Sequence, residues 1–270
     1  MAVTEFQLHI CRLISGRLRE SGESYVAGGV ALNLAVGGKR ISRDIDLFHD
    51  TTQAVEASFT KDMEIFTKSG LSVEIVRDMP GFKEAFVRRG ADTVLIQWTR
   101  DSAFRFFPLV EDETLGLALH PFDLATNKVL AMAGRLEPRD WVDVLECHEK
   151  IQPFGYLAWA ACGKDPGFNP LSLLSEARRS GRYSQAELDE LSFDGKIPDA
   201  GVLGSRWHAV LKEAEQLCRL LEEAESGVCV LEKDGNLCHR SPADLPSALA
   251  EGRLLFHRGS IKGAFPVVRG

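Results

Sequence analysis

Apolar positions along the first part of the chain follow two different periods. They recur every three or four residues over residues 4–20, which predicts an amphipathic helix. Over residues 44–48, polar and apolar side chains alternate, which is typical of a strand. Between these two segments, a short apolar run at residues 24–27 leads into a predicted short helix at residues 30–36.

Three further segments rich in β-branched and aromatic residues follow, separated by Pro-Gly and Gly turn signals: residues 72–77, 83–88 and 93–99. Turns this short favour antiparallel pairing, so we expect a meander beside the strand at residues 44–48. Helical spacing then returns at residues 123–132 and 138–150.

The composition changes after Lys150. Residues 152–170 hold three prolines and three glycines and are interpreted as a linker. Beyond them the pattern predicts helices at residues 171–179, 184–191 and 202–225 and a small hairpin at residues 228–238. The whole pattern predicts an α/β protein: residues 1–150 form a domain with a small mixed β-sheet flanked by helices, and residues 151–270 form a mainly α-helical C-terminal domain with a small terminal hairpin.

The overall composition is that of an ordinary globular protein of 270 residues. A formal net charge of -7 excludes a uniformly basic nucleic-acid binder, although a local basic patch is compatible with that sum. No apolar run approaches the roughly 20 residues that cross a bilayer, and no signal peptide is recognisable. Six scattered cysteines without a CxxC pair are typical of reduced thiols, so we expect a cytoplasmic protein without membrane association.

Asp44 and Asp46 lie two residues apart on a predicted strand, so their side chains share one face. Paired carboxylates are hard oxygen ligands of the kind that Mg²⁺ prefers, and Mg²⁺ usually also keeps waters and substrate phosphates. In a two-metal site, one ion activates the attacking hydroxyl and the other stabilises the leaving pyrophosphate. The alternative is the polar edge of a surface strand, because Asp-x-Asp pairs are common on solvated faces.

A Gly-Gly pair precedes these aspartates. Gly28 and Gly29 lie between a short predicted strand and the beginning of a predicted helix, where backbone N–H groups and the helix dipole favour an anion. Glycine also lets a phosphate approach the backbone closely. Arg40, Ser42 and Arg43 lie just before the aspartates and could reach a triphosphate. Taken alone, the glycine pair is equally an ordinary turn.

Residues 28–48 read GGVALNLAVGGKRISRDIDLF. This stretch resembles the signature of the polymerase-β-like nucleotidyltransferase superfamily, and within it the AbiEii/AbiGii toxin-like group, which has a GG-x-A-L pair and an R-x-S-x-D-x-D-L-F strand. That group also has a downstream helix pair in which a lysine is followed by R-D-x-x-D. Residues 123–144 read DLATNKVLAMAGRLEPRDWVDV and match that pattern. The resemblance covers about residues 5–150.

Position by position, the resemblance implies that Asp44 and Asp46 are metal ligands and that the Gly28-Gly29 turn binds a triphosphate. It also implies that Lys128 contacts a nucleotide phosphate. Asp143 would complete the site, with Asp140 one helical step away on the same face. The alternative for this lysine is a purely structural ion pair with Asp143 across two helices, since structural pairs are more frequent than catalytic ones.

One position departs from the superfamily pattern. Many members carry a third carboxylate on a later strand, where it can act as a general base. The corresponding strand here is expected at residues 93–99, and its inward candidate is Gln97, an amide that cannot be a base. Either two carboxylates suffice, with Asp143 or bulk solvent taking the proton, or catalysis is weakened.

The resemblance implies a Mg²⁺-dependent nucleotidyltransferase that moves a nucleoside monophosphate from an NTP to an acceptor hydroxyl. It also implies a toxin role in a type IV toxin–antitoxin or phage-defence system, with a cognate antitoxin as a partner and tRNA or another RNA as the acceptor. Two alternatives stay open: modification of a small molecule such as an aminoglycoside, and a non-catalytic nucleotide-binding or partner-binding module.

Overall fold

The structure, a computed structural model, describes residues 2–268. The chain divides into two compact units. The first comprises the chain up to Ala103 together with Pro108–His120, and the second comprises Phe104–Phe107 together with the chain from Pro121 onward. The domain boundary after Lys150 stays a prediction.

Helices and strands are mixed along the described residues. The helices are Glu5–Ser21 (α1), Gly28–Val36 (α2), Thr52–Lys68 (α3), Pro121–Gly134 (α4), Pro138–Lys150 (α5), Phe154–Ala161 (α6), Pro170–Ala177 (α7), Gln185–Asp189 (α8), Ala200–Leu220 (α9) and Leu245–Ala250 (α10). The strands are Ser24–Ala27 (β1), Asp44–His49 (β2), Ser72–Met79 (β3), Phe82–Arg89 (β4), Asp92–Arg100 (β5), Phe104–Arg105 (β6), Val110–Asp112 (β7), Gly116–Ala118 (β8), Val228–Glu232 (β9), Leu254–Arg258 (β10) and Ser260–Ile261 (β11). Short 3₁₀ helices lie at Arg178–Arg182 and Glu223–Glu225.

A mixed sheet in the order β3-β4-β5-β2-β1-β8-β7 forms the centre of the first unit. Strands β3, β4 and β5 form the predicted antiparallel meander, and β5 lies parallel to β2. Strand β1 is antiparallel to β2 and parallel to β8. The predicted α/β fold class is therefore confirmed, with the aspartate-bearing strand in the interior of the sheet.

The two faces of this sheet differ in burial. Ile45, Leu47 and Trp98 point to a buried face, which is covered by α1 and by α3, a helix absent from the sequence prediction. There the Trp98 indole donates a hydrogen bond to Asp62 of α3 at 2.8 Å, and Asp62 forms a buried ion pair with an arginine of α1. Residues at the alternate positions lie on the opposite face and are only half-buried, which leaves that face for the candidate site.

The second unit corrects one prediction. Residues 152–170 were expected to form a linker, yet they contain α6, every residue of which is buried. Helix α6 packs on α4 and on α9, and a side chain at Gly155 would lie 2.9 Å from the Cα atom of Ala214. Prolines and glycines dominate the ends of this segment, but its middle reads FGYLAWAA and supplies an entirely apolar core helix.

The predicted hairpin near the C-terminus is confirmed as a turn with one antiparallel bridge, between Leu231 and Leu237. The chain reverses after Glu232, and Cys238 N–H donates to the carbonyl of Val230 at 3.1 Å. The main partner of β9 is β10, an antiparallel strand that the sequence pattern did not predict.

All six cysteines are buried free thiols. Across residues 2–268, no helix combines the length and the apolar character needed to traverse a bilayer.

Candidate active site

The Gly-Gly pair lies directly against the aspartate-bearing strand. Strand β1 ends at Ala27, and α2 begins at Gly28, whose φ of +62° is strained for residues with a side chain. A Cβ atom on Gly28 would lie 1.7 Å from Asp46 Oδ2, and one on Gly29 would lie 2.4 Å from Ser42 Oγ and 3.1 Å from Arg40 Nη2. Only glycines allow this close approach between the turn and the polar residues of the site.

The loop before β2 is held in place by buried hydrogen bonds. Gln7 donates to the carbonyl of Ser42 at 2.9 Å, and Asn33 donates to the carbonyl of Arg40 at 2.7 Å. The hydroxyl of Ser42 in turn donates to Asp44 Oδ1 at 3.2 Å. Both Arg40 and Ser42 are buried, so the loop places a cation and a hydroxyl beside the Gly-Gly turn.

Asp44 and Asp46 occupy alternate positions of β2 and share its half-buried face, as the strand prediction required. Two hard carboxylates on one face, beside the space that Gly28 leaves open, fit a divalent cation such as Mg²⁺. Within residues 2–268, no three His, Cys, Asp or Glu side chains are grouped closely enough to hold a metal ion. The two aspartates would therefore supply part of a coordination shell, which suits an ion that keeps waters and substrate phosphates.

Gln97 lies next to Asp46 in the register of β5 against β2, which is the inward position that the sequence analysis assigned to it. Its side-chain amide donates to Glu84 Oε1 on β4 at 2.7 Å. Sequence reasoning missed Glu84. Alternation along β4 does place Glu84 on one face with Phe82 and Phe86, but only the strand register shows that this face also carries Gln97.

The second unit contains the other residues that the resemblance implied. Lys128 of α4 forms ion pairs with Asp143 at 2.9 Å and with Asp140 at 3.3 Å, and both aspartates lie on α5. Arg135 also pairs with Asp140, at 2.7 Å. The lysine and both aspartates are buried, and the aspartates share one helical face as predicted. A purely structural role of Lys128 requires its ion pair with Asp143, which is present. A catalytic role of Lys128 is compatible with the same ion pair.

A fold with a Gly-Gly turn against an Asp-x-Asp strand defines a candidate nucleotide site, and comparison with known proteins gives its class. The model of a family described as nucleotidyl transferase AbiEii toxin, type IV TA system, matches residues 20–162, more than half of the chain. The chain belongs to this family and is a nucleotidyltransferase.

The solved structures that are similar to the chain include one from Helicobacter pylori and one from Mycobacterium tuberculosis. JHP933 from Helicobacter pylori is 16% identical, with a TM-score of 0.48, and the match covers 82% of this chain and 96% of that one. MenT4, a nucleotidyltransferase toxin from Mycobacterium tuberculosis, is 12% identical, with a TM-score of 0.49, and the match covers 79% of this chain and 85% of that one. No curated protein sequence matches the chain.

Proposed function

We propose that the protein is a Mg²⁺-dependent toxin that transfers a nucleoside monophosphate from an NTP to a hydroxyl of RNA, with tRNA as the favoured acceptor. Membership of the AbiEii family supports the toxin class and the transferase reaction. The observation that carries the site assignment is the approach of the Gly28 backbone to Asp46, where even a methyl group would overlap the carboxylate.

In this proposal the backbone N–H groups of Gly28 and Gly29, at the beginning of α2, bind the triphosphate. Asp44 and Asp46 hold Mg²⁺, and the Ser42 hydroxyl keeps the carboxylate of Asp44 in one orientation. When bound, the metal would offset the phosphate charge and lower the pKa of an attacking hydroxyl. Phosphoryl transfer depends mostly on positioning and charge stabilisation, which a rigid turn and strand provide.

Lys128 and Asp143 are proposed to take part in the same reaction, Lys128 by contacting a phosphate. Ion pairs with two carboxylates of α5 hold the Lys128 ammonium group in one position, and a lysine held in this way can contact a phosphate. Because the family belongs to type IV toxin–antitoxin systems, we also propose a cognate antitoxin protein as a partner.

Transfer of radioactive label tests the reaction directly. The protein is incubated with Mg²⁺, total tRNA and each of the four α-³²P NTPs in turn. Asp46→Asn serves as the site variant and Asp92→Asn, at an exposed position of the same sheet, as the matched control. Label on tRNA with wild type and Asp92→Asn, and none with Asp46→Asn, is the expected result.

Other outcomes identify the alternatives. Label on an aminoglycoside and none on RNA would replace the RNA acceptor by a small molecule. Nucleotide binding without pyrophosphate release, tested with both kinds of acceptor, would contradict catalysis and identify a binding module. Equal labelling by wild type and Asp46→Asn would contradict the metal role of this strand.

A further inference from the structure

A row of polar residues crosses four neighbouring strands on the half-buried face of the sheet. Asp46 on β2 is the register partner of Gln97 on β5, Gln97 is the partner of Glu84 on β4, and Glu84 is the partner of Arg77 on β3. Register partners in a sheet point to the same face and lie within reach of one another. The row therefore ends at one of the two candidate metal ligands.

Contacts on both sides fix the carboxylate of Glu84. Gln97 donates to Oε1 at 2.7 Å, and Arg77 lies 3.6 Å from Oε2. A register shift between Ile75 and Arg77 places Arg77, rather than Val76, opposite Glu84. The side chain of Glu84 is only 9% exposed, so this carboxylate has few other orientations available.

This contact also settles the orientation of the Gln97 amide. A carboxylate only accepts hydrogen bonds, so the group that Gln97 turns toward Glu84 must be its NH₂. The carbonyl oxygen Oε1 is the other polar atom of the same planar amide, and it is not the atom that contacts Glu84. The strand on the other side of β5 is β2, where Asp46 is the register partner.

We propose that Glu84 is a positioning residue, which holds the Gln97 amide so that its carbonyl oxygen faces Asp46 and accepts a hydrogen bond from a water on the metal ion. This inference rests on the proposed function. It gives an amide on β5 and a carboxylate on β4 an orienting role toward the metal, and the amide does not act as a base. Groups of this kind around a metal orient its ligands and raise its affinity.

A purely structural role for the pair is less consistent with its chemistry. Burying a carboxylate costs solvation free energy, and apolar pairs of similar size usually stabilise a sheet as well or better. On the same face, the neighbouring register partners Leu95 and Phe86 form such an apolar pair. The buried carboxylate of Glu84 therefore orients the Gln97 amide and adds little to stability.

Mn²⁺ binding, followed by electron paramagnetic resonance with Mn²⁺ in place of Mg²⁺ and a non-hydrolysable NTP analogue present, tests the inference without requiring activity. We expect Glu84→Ala and Gln97→Ala each to weaken Mn²⁺ binding about tenfold. The double alanine variant should be no weaker than either single variant, because the two residues act as one unit. Glu74→Ala, which removes an exposed ion pair with Arg88 on the same meander, is the matched control and should bind Mn²⁺ as wild type does.

An exchanged pair gives the sharpest test. Glu84→Gln combined with Gln97→Glu keeps an amide-to-carboxylate hydrogen bond between β4 and β5 but moves the carboxylate next to Asp46. We expect this double variant to bind Mn²⁺ at least as tightly as wild type, while Gln97→Glu alone places two carboxylates together and lowers the melting temperature. Wild-type Mn²⁺ affinity in both alanine variants, whatever their melting temperatures, would overturn the inference.

Failure of the inference is distinguishable from failure of the proposed function. If Asp46→Asn loses Mn²⁺ and wild type labels an acceptor, but the Glu84 and Gln97 variants bind Mn²⁺ normally, only the inference is wrong. If those variants bind Mn²⁺ weakly but wild type transfers no label to any acceptor, only the proposed reaction is wrong. Absence of Mn²⁺ binding by wild type would overturn both.

Discussion

Gly28 meets two constraints at once. Its φ of +62° favours glycine, and the space where a Cβ atom would lie is filled by the carboxylate of Asp46. Gly22 has the same φ of +62° but nothing within 4 Å of its Cβ position. These two glycines therefore share the same φ, and of the two it is Gly28 that touches the candidate site.

We expect Gly28→Ala to abolish most of the transfer activity, by about 100-fold, because displacing a site carboxylate by about 1 Å has that order of effect. Gly22→Ala should cost about 1–2 kcal/mol of stability through its left-handed conformation, and should leave activity unchanged below its melting temperature. Label transfer and thermal denaturation of both variants separate the two effects. Equal activity losses in the two variants would mean that backbone strain, and not contact with Asp46, makes Gly28 necessary.

Two helices, α4 and α5, are joined by an ion pair whose role can be tested by replacement. Lys128→Met leaves Asp143 buried without this partner and should destabilise the protein by about 3–5 kcal/mol. Lys128→Met combined with Asp143→Leu replaces the pair by apolar side chains and should recover most of that loss. Arg135 remains as a partner for Asp140 in both variants.

Activity of the double variant separates the two roles of Lys128. If the lysine contacts a phosphate, as proposed, the double variant has a melting temperature near that of wild type and still transfers no label. A double variant that recovers both stability and transfer would show that the pair only holds α4 and α5 together. Circular dichroism melts and the α-³²P NTP assay give the two readouts.

Helix α6 depends on a close approach to α9. A side chain at Gly155 would lie 2.9 Å from both the Cα atom of Ala214 and the Cδ1 atom of Leu217, so Gly155→Ala should destabilise the protein by about 1–3 kcal/mol. The control is Gly16→Ala in α1, where nothing lies within 4 Å, and there alanine should add about 0.5–1 kcal/mol through its better helix propensity. Chemical denaturation measures both changes, and a neutral Gly155→Ala would mean that α6 and α9 can separate slightly without loss.

The element patterns show what the sequence can predict. Helix α1 and strand β2 have clear periods, and the β3-β4-β5 meander has β-rich segments separated by turn signals; all were predicted with errors of a few residues at their ends. Helix α6 was missed because it is apolar on every side and therefore has no amphipathic period, while the prolines and glycines around it resemble a linker. Buried helices of this kind are recognisable only by the neighbours that surround them.

The candidate site likewise has residues that the local sequence predicts and residues that it does not. Asp44, Asp46 and the Gly-Gly turn lie within 20 residues of one another, so spacing and face could be derived from the local sequence. The contact between Gln97 and Glu84 depends on the register of β4 against β5, which no single segment encodes. The sequence therefore identified the amide at Gln97 but not the carboxylate that orients it.

At the scale of the whole molecule, each compact unit contains a histidine whose pKa is lowered by burial. Burial lowers the pKa of His49, in the first unit, from its ordinary value of 6.5 to about 4. Burial, and then the charge of Arg206, lowers the pKa of His148 in the second unit. The Nδ1 atom of His148 accepts a hydrogen bond from the backbone N–H of Phe154 at 3.0 Å, which requires that atom to be unprotonated.

These shifts make stability depend on pH with a definite sign. Between pH 6.5 and about 4 the unfolded chain binds a proton at His49 and the folded chain does not, so protons favour unfolding in this window. The stability that the neutral His49 ring contributes is complete above pH 6.5 and falls by about 3 kcal/mol as the pH approaches 4.

His49→Gln removes the titrating ring, so its melting temperature should fall less between pH 7.5 and pH 5 than that of wild type. His208→Gln, at an exposed position, is the control and should keep the wild-type difference. If His49→Gln loses as many degrees as wild type across this range, the acid sensitivity of the molecule lies in other groups, and His148→Gln measured in the same way would show how much the second unit contributes.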